Sequence, residues 1–428
     1  MQPPNDISYF AQTNARNDRR LFGIRQRDRL QHVYVIGQTG VGKSTLLETM
    51  ARQDIAAGRG FALIDPHGDL VERIAALPAL RDHPKVRYLD APNPAQPFGY
   101  NPLHQVREDK ISLAVSGILE TFKKLWPDAW GVRMEHVLRN SLYALLERDD
   151  SMLPDILCLY SDEKYRKRLV RDIRNDTVRH FWQDEFENYP PRLKAEAVAP
   201  IQNKLGALLS DPVLYRILVQ PEQDLRFRPI MDEGGILLVN LSKGKLGADS
   251  AHILGGLIAS TLGLAAFSRA ESALSRRRPF FLYMDEFQSF TTLMLANMMS
   301  ELRKYGVGLT LAHQYAAQLE PEIQDAVLGN VGTKIAFRVG AMDAPLLARE
   351  FQPQVGVEDL LNLPNHSMYL RLLIEGEPTR PFSATSLAMG DAESSPLNIG
   401  VAADAGGDAS RGPTAEVQAG GRFNKPGK

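Results

Sequence analysis

The sequence predicts an α/β fold with a mostly parallel central sheet, interrupted by an all-helical segment. Three observations carry this. Residues 33–47 read VYVIGQTGVGKSTLL: an apolar run, a glycine-rich turn, then Leu46, Leu47 and Met50 at helical spacing. Short apolar runs recur at 61–64, 86–89, 236–241, 280–284, 307–312, 334–339 and 368–373, separated by helical patterns, as βαβ units require. Between 107 and 228 glycine becomes scarce and a 3.6-residue pattern replaces the strands.

The expected division is a loose segment 1–20, an α/β part 21–106, a helical insertion 107–228, the returning α/β part 229–387 and a disordered tail 388–428. The tail is Gly, Ala, Asp and Ser with almost no large apolar residue, so burial there cannot offset the entropy of ordering. Of the 428 residues, 44% are hydrophobic and 24% charged, a soluble globular composition. The formal net charge of -1 excludes strong global attraction to nucleic acid, so any such contact needs a local patch or an assembled surface. One cysteine, Cys158, excludes an intrachain disulfide and suits a reducing compartment. The N-terminus lacks the apolar core of a signal peptide. The run Ile253–Phe267 reads as a packed interior helix, too short and too rich in Gly and Ala to span a membrane. A cytoplasmic protein is expected.

Taken in order, Leu21–Leu30 is a basic lead-in whose Arg25, Arg27 and Arg29 are either solvated or near a bound phosphate. Gly37, Gln38, Thr39, Gly40, Val41, Gly42, Lys43 and Ser44 then match G-x-x-x-x-G-K-[ST] without a gap, and Thr45 continues into the helix. Glycines let backbone N–H groups curl around phosphate oxygens at a helix N-terminus. Lys43 is placed to reach the β- and γ-phosphates of ATP, and the Ser44 hydroxyl to bind Mg²⁺. Asp65 and His67, in DPHGD after the second strand, belong on the same rim, Asp65 either holding a magnesium water or capping its turn. In the helical part, Lys164, Lys167, Arg168, Arg171 and Arg174 recur at three- and four-residue steps, one face that is either solvated or in contact with a phosphate backbone.

The apolar run Phe280–Met284 ends in Asp285-Glu286, a Walker B candidate. Asp285 would hold Mg²⁺ through a water and Glu286 would polarise the attacking water. Gln314 closes the next strand, where an amide can sense the γ-phosphate. Arg303 ends the intervening helix, better placed to serve a neighbouring subunit than its own site; Arg338 is a second candidate for that role.

With HVYVIGQTGVGKSTLL, FALIDPHGDL, the helical insertion, FFLYMDEFQSF and ELRKYGVGLTLAHQ followed by NVGTKIAFRVG, the chain resembles the FtsK/HerA superfamily of DNA-translocating ATPases. The nearer resemblance is to type IV coupling proteins, the TraG/TraD-like ATPases of conjugation and type IV secretion. It spans about 20–385. It implies a RecA-like motor domain, a hexameric ring, DNA through or across it, and Arg303 acting in trans. It also implies that Glu286 is the catalytic glutamate, Gln314 the sensor, and a relaxase, a secretion-channel protein or a membrane anchor the partner. Membrane-bound coupling proteins carry N-terminal transmembrane helices, whereas this chain reaches its phosphate loop within forty residues without one. Membrane association is therefore expected to be borrowed from a partner. A soluble HerA-like translocase of DNA repair or mobile-element maintenance, and a nucleotide-gated adaptor for protein substrates, are the alternatives.

Overall fold

The computed structural model describes residues 6–14, 19–104 and 106–387; the tail expected to be disordered lies outside them. Eleven strands form one sheet: β1 Ile7–Thr13, β2 Leu21–Arg25, β3 Val33–Ile36, β4 Gly60–Asp65, β5 Val86–Asp90, β6 Ile236–Asn240, β7 Phe280–Met284, β8 Val307–His313, β9 Thr333–Ala336, β10 Ser367–Arg371 and β11 Phe382–Ser386. Their order across the sheet is β2-β1-β11-β10-β9-β3-β8-β7-β4-β6-β5. From β9 to β5 every pairing is parallel. β3, β4, β6, β7 and β8 are buried at every residue, which is why they read as continuous apolar runs rather than alternating ones.

The other edge departs from the expectation. Residues 7–13, read as part of a loose segment, form β1, and Leu21–Arg25, read only as a basic lead-in, forms β2. β11 closes the pair: Ala11 lies opposite Ser386 and Thr13 opposite Ala384, antiparallel. Phe10 and Ala11 are the buried apolar anchors of β1, and besides its neighbour β2 it pairs with a strand near the far end of the sequence.

Arg29 is also corrected. It is neither solvated nor at a phosphate site but 1% exposed beneath the sheet. Its guanidinium makes a two-point contact with Asp54 at 2.8 and 2.9 Å and donates to the Tyr283 hydroxyl at 2.6 Å. The Phe281 ring lies 3.5 Å from it. Such a pair offsets the desolvation of both charges only because nearly every polar atom finds a partner. Arg25 and Arg27 pair with Glu375 instead.

Helices cover both faces. On one, α1 Lys43–Ala56 and α2 Asp69–Ala75 pack Leu46, Leu47, Met50, Leu70 and Ile74 against Phe61, Leu63 and Tyr283. The opposite face is more heavily covered. Between Ile111 and Leu218 every element is helical, including α3 Ile111–Leu125, α4 Val132–Leu146, α5 Leu153–Ser161, α6 Glu163–Asp172, α7 Pro191–Ser210 and α8 Pro212–Leu218. These helices, with α9 Ala248–Ser268, α10 Leu293–Leu302 and α11 Pro321–Asn330, share one apolar cluster with that face, so the helical segment and the sheet have a common core. α9 extends the run read as an interior helix. It is long and apolar enough to cross a membrane, and 67% of that window is buried inside the protein. Gly255 lets it come this close, since a Cβ there would meet the Phe290 ring at 2.1 Å.

Candidate active site

Because β3, β8, β7 and β4 are adjacent and parallel, the loops leaving their C-terminal ends share one rim. A cavity of about 350 Å³ opens there, lined by the phosphate loop from Thr39 to Thr45 and by Asp65, His67, Arg73, Asp285, Glu286, Gln314 and His366. The structure thus brings together, from five segments, the residues read as nucleotide-binding, metal-binding, catalytic and sensing.

Each is held by a local cause. Gly42 takes φ +117° where the loop enters α1, and a Cβ there would stand 2.8 Å from Nδ1 of His366. Lys43 is nearly buried, and its Nζ donates to the carbonyls of Gly37 at 2.6 Å and Gln38 at 3.0 Å. Burial lowers its pKa, with Asp285 and Glu286 pulling the other way. The Ser44 hydroxyl donates to Oδ2 of Asp285 at 3.1 Å, while Oδ1 of that carboxylate accepts the Glu286 N–H at 3.0 Å. Asp65 accepts from the N–H groups of His67, Leu70 and Val71, so of its two readings the turn cap is the one seen.

Glu286 sits in the left-handed region at φ +46°, a conformation that costs about 1–3 kcal/mol for a residue with a Cβ and that clusters at functional sites. Both of its oxygens are taken. Nε2 of Gln314 donates to Oε1 at 2.7 Å, and Nε2 of Gln288 donates to Oε2 at 2.6 Å. The carboxylate is clamped between two amides, each of which occupies one of its lone pairs and fixes its direction. Gln314 was read as a phosphate sensor; here its amide is turned onto Glu286. Beneath it, Tyr34 and Nε2 of His313 are 2.6 Å apart, and burial draws the His313 pKa down to about 3, so the ring is neutral.

Asp285 is 5% exposed, and its pKa is pushed up to about 6 by burial first, then by Asp65 and Glu286, against Lys43 and Ser44. The folded value lies above the unfolded one, so between about pH 4 and pH 6 the native state binds the extra proton. Stability therefore falls as pH rises through that window, by about 3 kcal/mol in total. Asp285→Asn should flatten this slope in denaturant titrations without nucleotide or divalent metal. An unchanged pH dependence would contradict the shift.

The remaining candidates lie elsewhere. Arg303 is exposed in a turn at the N-terminal end of β8, whereas Gln314 follows its C-terminal end. The seven residues of β8 put about 23 Å between them, beyond side-chain reach of the chain's own phosphate loop. Arg338 is beside that loop, with Nε 3.3 Å from Oε1 of Gln38 and Nη2 2.9 Å from Oδ1 of Asn365. Lys164, Lys167, Arg168 and Arg171 lie along α6, with Arg174 just past it, all exposed and away from the cavity. Lys167 is paired with Glu163 and Arg174 with Glu108.

The sequence reading missed His366, Arg73 and Gln288. His366 N–H donates to the Val41 carbonyl at 2.8 Å, and Arg73 pairs with Glu48 at 2.8 Å. Nothing local marks His366. Gln288, two residues past Glu286, carried a signal only in being an amide beside an acid expected to be catalytic.

Residues 279–359 match the family model described as the TraM recognition site of TraD and TraG. No curated protein matches the chain in sequence. Among solved structures, the bacterial conjugative coupling protein TrwB superposes with a TM-score of 0.62 at 15% identity, covering 88% of this chain and 89% of that one. TrwB in complex with ADP and Mg²⁺ gives 0.61 at 16%, covering 85% and 87%. VirB4 of Thermoanaerobacter pseudethanolicus gives 0.61 at 13%, covering 90% and 97%. The fold is therefore the RecA-like one shared with TrwB and VirB4, and the likeness to TraD and TraG is present in the matched sequence segment.

Proposed function

We propose that the chain is an ATP-hydrolysing DNA translocase of the coupling-protein type, which moves DNA in conjugative transfer or type IV secretion. It works as a ring of six subunits in the cytoplasm, peripheral at the inner membrane through a partner; a relaxase, a secretion-channel protein and a membrane-anchor protein are the partners proposed. The observation that carries this reading is the convergence on one rim of the phosphate loop, the Ser44–Asp285 pair and the Glu286–Gln314 pair. Similarity to the plasmid coupling protein TrwB, over nearly the whole length of both chains, supports it.

ATP and Mg²⁺ are the ligands assigned to the cavity, and the residues present fit them. The glycine loop supplies the phosphate cradle. Ser44 and Asp285 offer hard oxygen donors 3.1 Å apart, and Asp285 is a carboxylate destabilised by its neighbours, which a cation would relieve. Among the described residues no group of three or more His, Cys, Asp or Glu forms a metal cage. A magnesium site built on one or two protein oxygens plus phosphates and waters needs none. When bound, the metal neutralises developing phosphate charge.

The chain's own groups do the rest. Lys43 leaves the Gly37 and Gln38 carbonyls for the phosphates. Gln314 transfers its amide from Glu286 to the nucleotide side, and the freed Glu286 carboxylate takes the proton of the attacking water. Within the ring, we assign Arg303 to the neighbouring subunit's site and the α6 face to the DNA backbone. The division of the chain at 107 and 228 into a motor and a helical insertion belongs to the same proposal.

Lys43→Ala should lower ATP turnover by about 10²-fold or more, as expected on removing a charge aimed at the transferred group. The same assay with single- and double-stranded DNA, across salt concentrations, tests the translocase reading, because phosphate contacts make stimulation salt-dependent. Turnover in Lys43→Ala equal to that of the unmodified protein would remove the site assignment. Turnover of the unmodified protein indifferent to all DNA would remove the motor.

A further inference from the structure

The loop that leaves Glu286 is tied from its outer side by the helical segment. Nζ of Lys124, at the end of α3, donates to the carbonyls of Gln288 at 2.5 Å and Thr291 at 2.8 Å. One turn earlier, Glu120 accepts the Met294 N–H at 2.7 Å. The same Gln288 whose carbonyl receives Lys124 clamps Glu286 through its side chain, and its other amide atom, Oε1, is buried without a partner. Gln288 therefore links two charged groups: an ammonium on one side and the catalytic carboxylate on the other.

Beside this link lies a second cavity of about 430 Å³, lined by a different set of residues from the phosphate-loop cavity. Three cationic or basic side chains from three elements face it: Lys124 of α3, Lys243 at the start of the short helix Lys243–Leu246, and His252 of α9. Among the residues that line it there is no carboxylate. The acids that act on this group from neighbouring elements are Glu320 toward Lys124 and Asp249 toward His252. Burial lowers the pKa of both Lys124 and His252, and at His252 the charges of Lys124 and Lys243 push the same way. The Lys243 side chain is exposed, and among the described residues its ammonium has no hydrogen-bond or ion-pair partner, whereas the neighbouring Lys245 pairs with Glu72. Two lysines and a histidine meeting at a cavity whose lining holds no carboxylate favour an anionic ligand.

We propose that this cavity binds a phosphate of a nucleic-acid strand, and that its occupancy reaches Glu286 through Gln288. The inference rests on the translocase reading above. A phosphate in the cavity competes with the Gln288 and Thr291 carbonyls for the Lys124 ammonium. Once Lys124 turns outward, the loop loses its outer tie, the Gln288 amide leaves Oε2, and the carboxylate becomes available to water. Hydrolysis is then slow without a strand and fast with one. Gln288 is a positioning residue in this scheme and Lys243 a strand contact. Phosphate chemistry is shared by a strand and by free inorganic phosphate, so the test separates them.

The experiment is ATP hydrolysis by the full chain with Mg²⁺, titrated with single- or double-stranded oligonucleotide or with inorganic phosphate at matched phosphate concentration. Lys243→Glu should raise the half-stimulating oligonucleotide concentration about tenfold or more, the scale of a lost hydrogen bond between charged groups. It should also flatten the salt dependence of stimulation by about one phosphate contact. Gln288→Ala should bring the ratio of stimulated to unstimulated rate toward one by raising the unstimulated rate, which a merely structural loss would not do. If the unmodified protein is stimulated and both variants keep its half-stimulating concentration and ratio, the site is overturned and the translocase reading stands. Stimulation by inorganic phosphate but not by a strand also overturns it. An unmodified protein indifferent to every oligonucleotide overturns the translocase reading and this site together.

Discussion

Arg303→Ala is expected to reduce ATP turnover about 10³–10⁵-fold, the range of an arginine finger, although the length of β8, about 23 Å, separates the residue from the rim of its own site. The argument is geometric. Arg303 is exposed at the N-terminal end of β8, whereas every other catalytic candidate gathers at the C-terminal rim. A cationic side chain can act on transferring phosphate only within contact distance, so the effect must be delivered across a subunit boundary. Mixing Arg303→Ala subunits with Glu286→Gln subunits separates this from a role within one chain. Each defective subunit then supplies what its neighbour lacks, and mixed rings recover part of the turnover. Two inactive populations that stay inactive on mixing would move the assignment to Arg338, which is already beside its own loop.

Glu286→Gln is the second large effect, a loss of about 10²–10⁴-fold, the usual contribution of a positioned general base. Nucleotide binding should survive, because Lys43, Ser44 and the glycine loop make no use of this side chain beyond its charge. The substitution keeps the volume and the left-handed backbone but replaces one carboxylate oxygen, an acceptor, with an N–H₂ donor. At least one of the Gln314 and Gln288 amides must therefore turn over to keep its contact. Equilibrium binding of a fluorescent nucleotide analogue beside steady-state hydrolysis reads both. Turnover within tenfold of the unmodified protein would mean that another group activates the water.

The rim was legible in the sequence because each of its segments is local: an apolar strand followed at once by Gly37–Ser44, Asp65, Asp285-Glu286 or Gln314. Parallel strands then place these ends together without further information. Pairings between distant segments were illegible. β1 is a short strand of mixed residues with two buried apolar anchors, and nothing near it announces β11. Arg29 reads as one of three basic residues, and only Asp54 and Tyr283, brought in from α1 and β7, make it a core residue. The clamp on Glu286 depends on a left-handed backbone that no residue type at that position advertises.

The antiparallel edge has a mechanical consequence. Ser386 N–H donates to the His366 carbonyl and His366 N–H to the Val41 carbonyl, each at 2.8 Å, so two backbone hydrogen bonds separate the end of β11 from the phosphate loop. Leu387 N–H donates to the Phe10 carbonyl, which knits the strand at the other end of the chain into the same edge. A tether attached beyond residue 387 would pull on the edge of the sheet that braces the nucleotide loop.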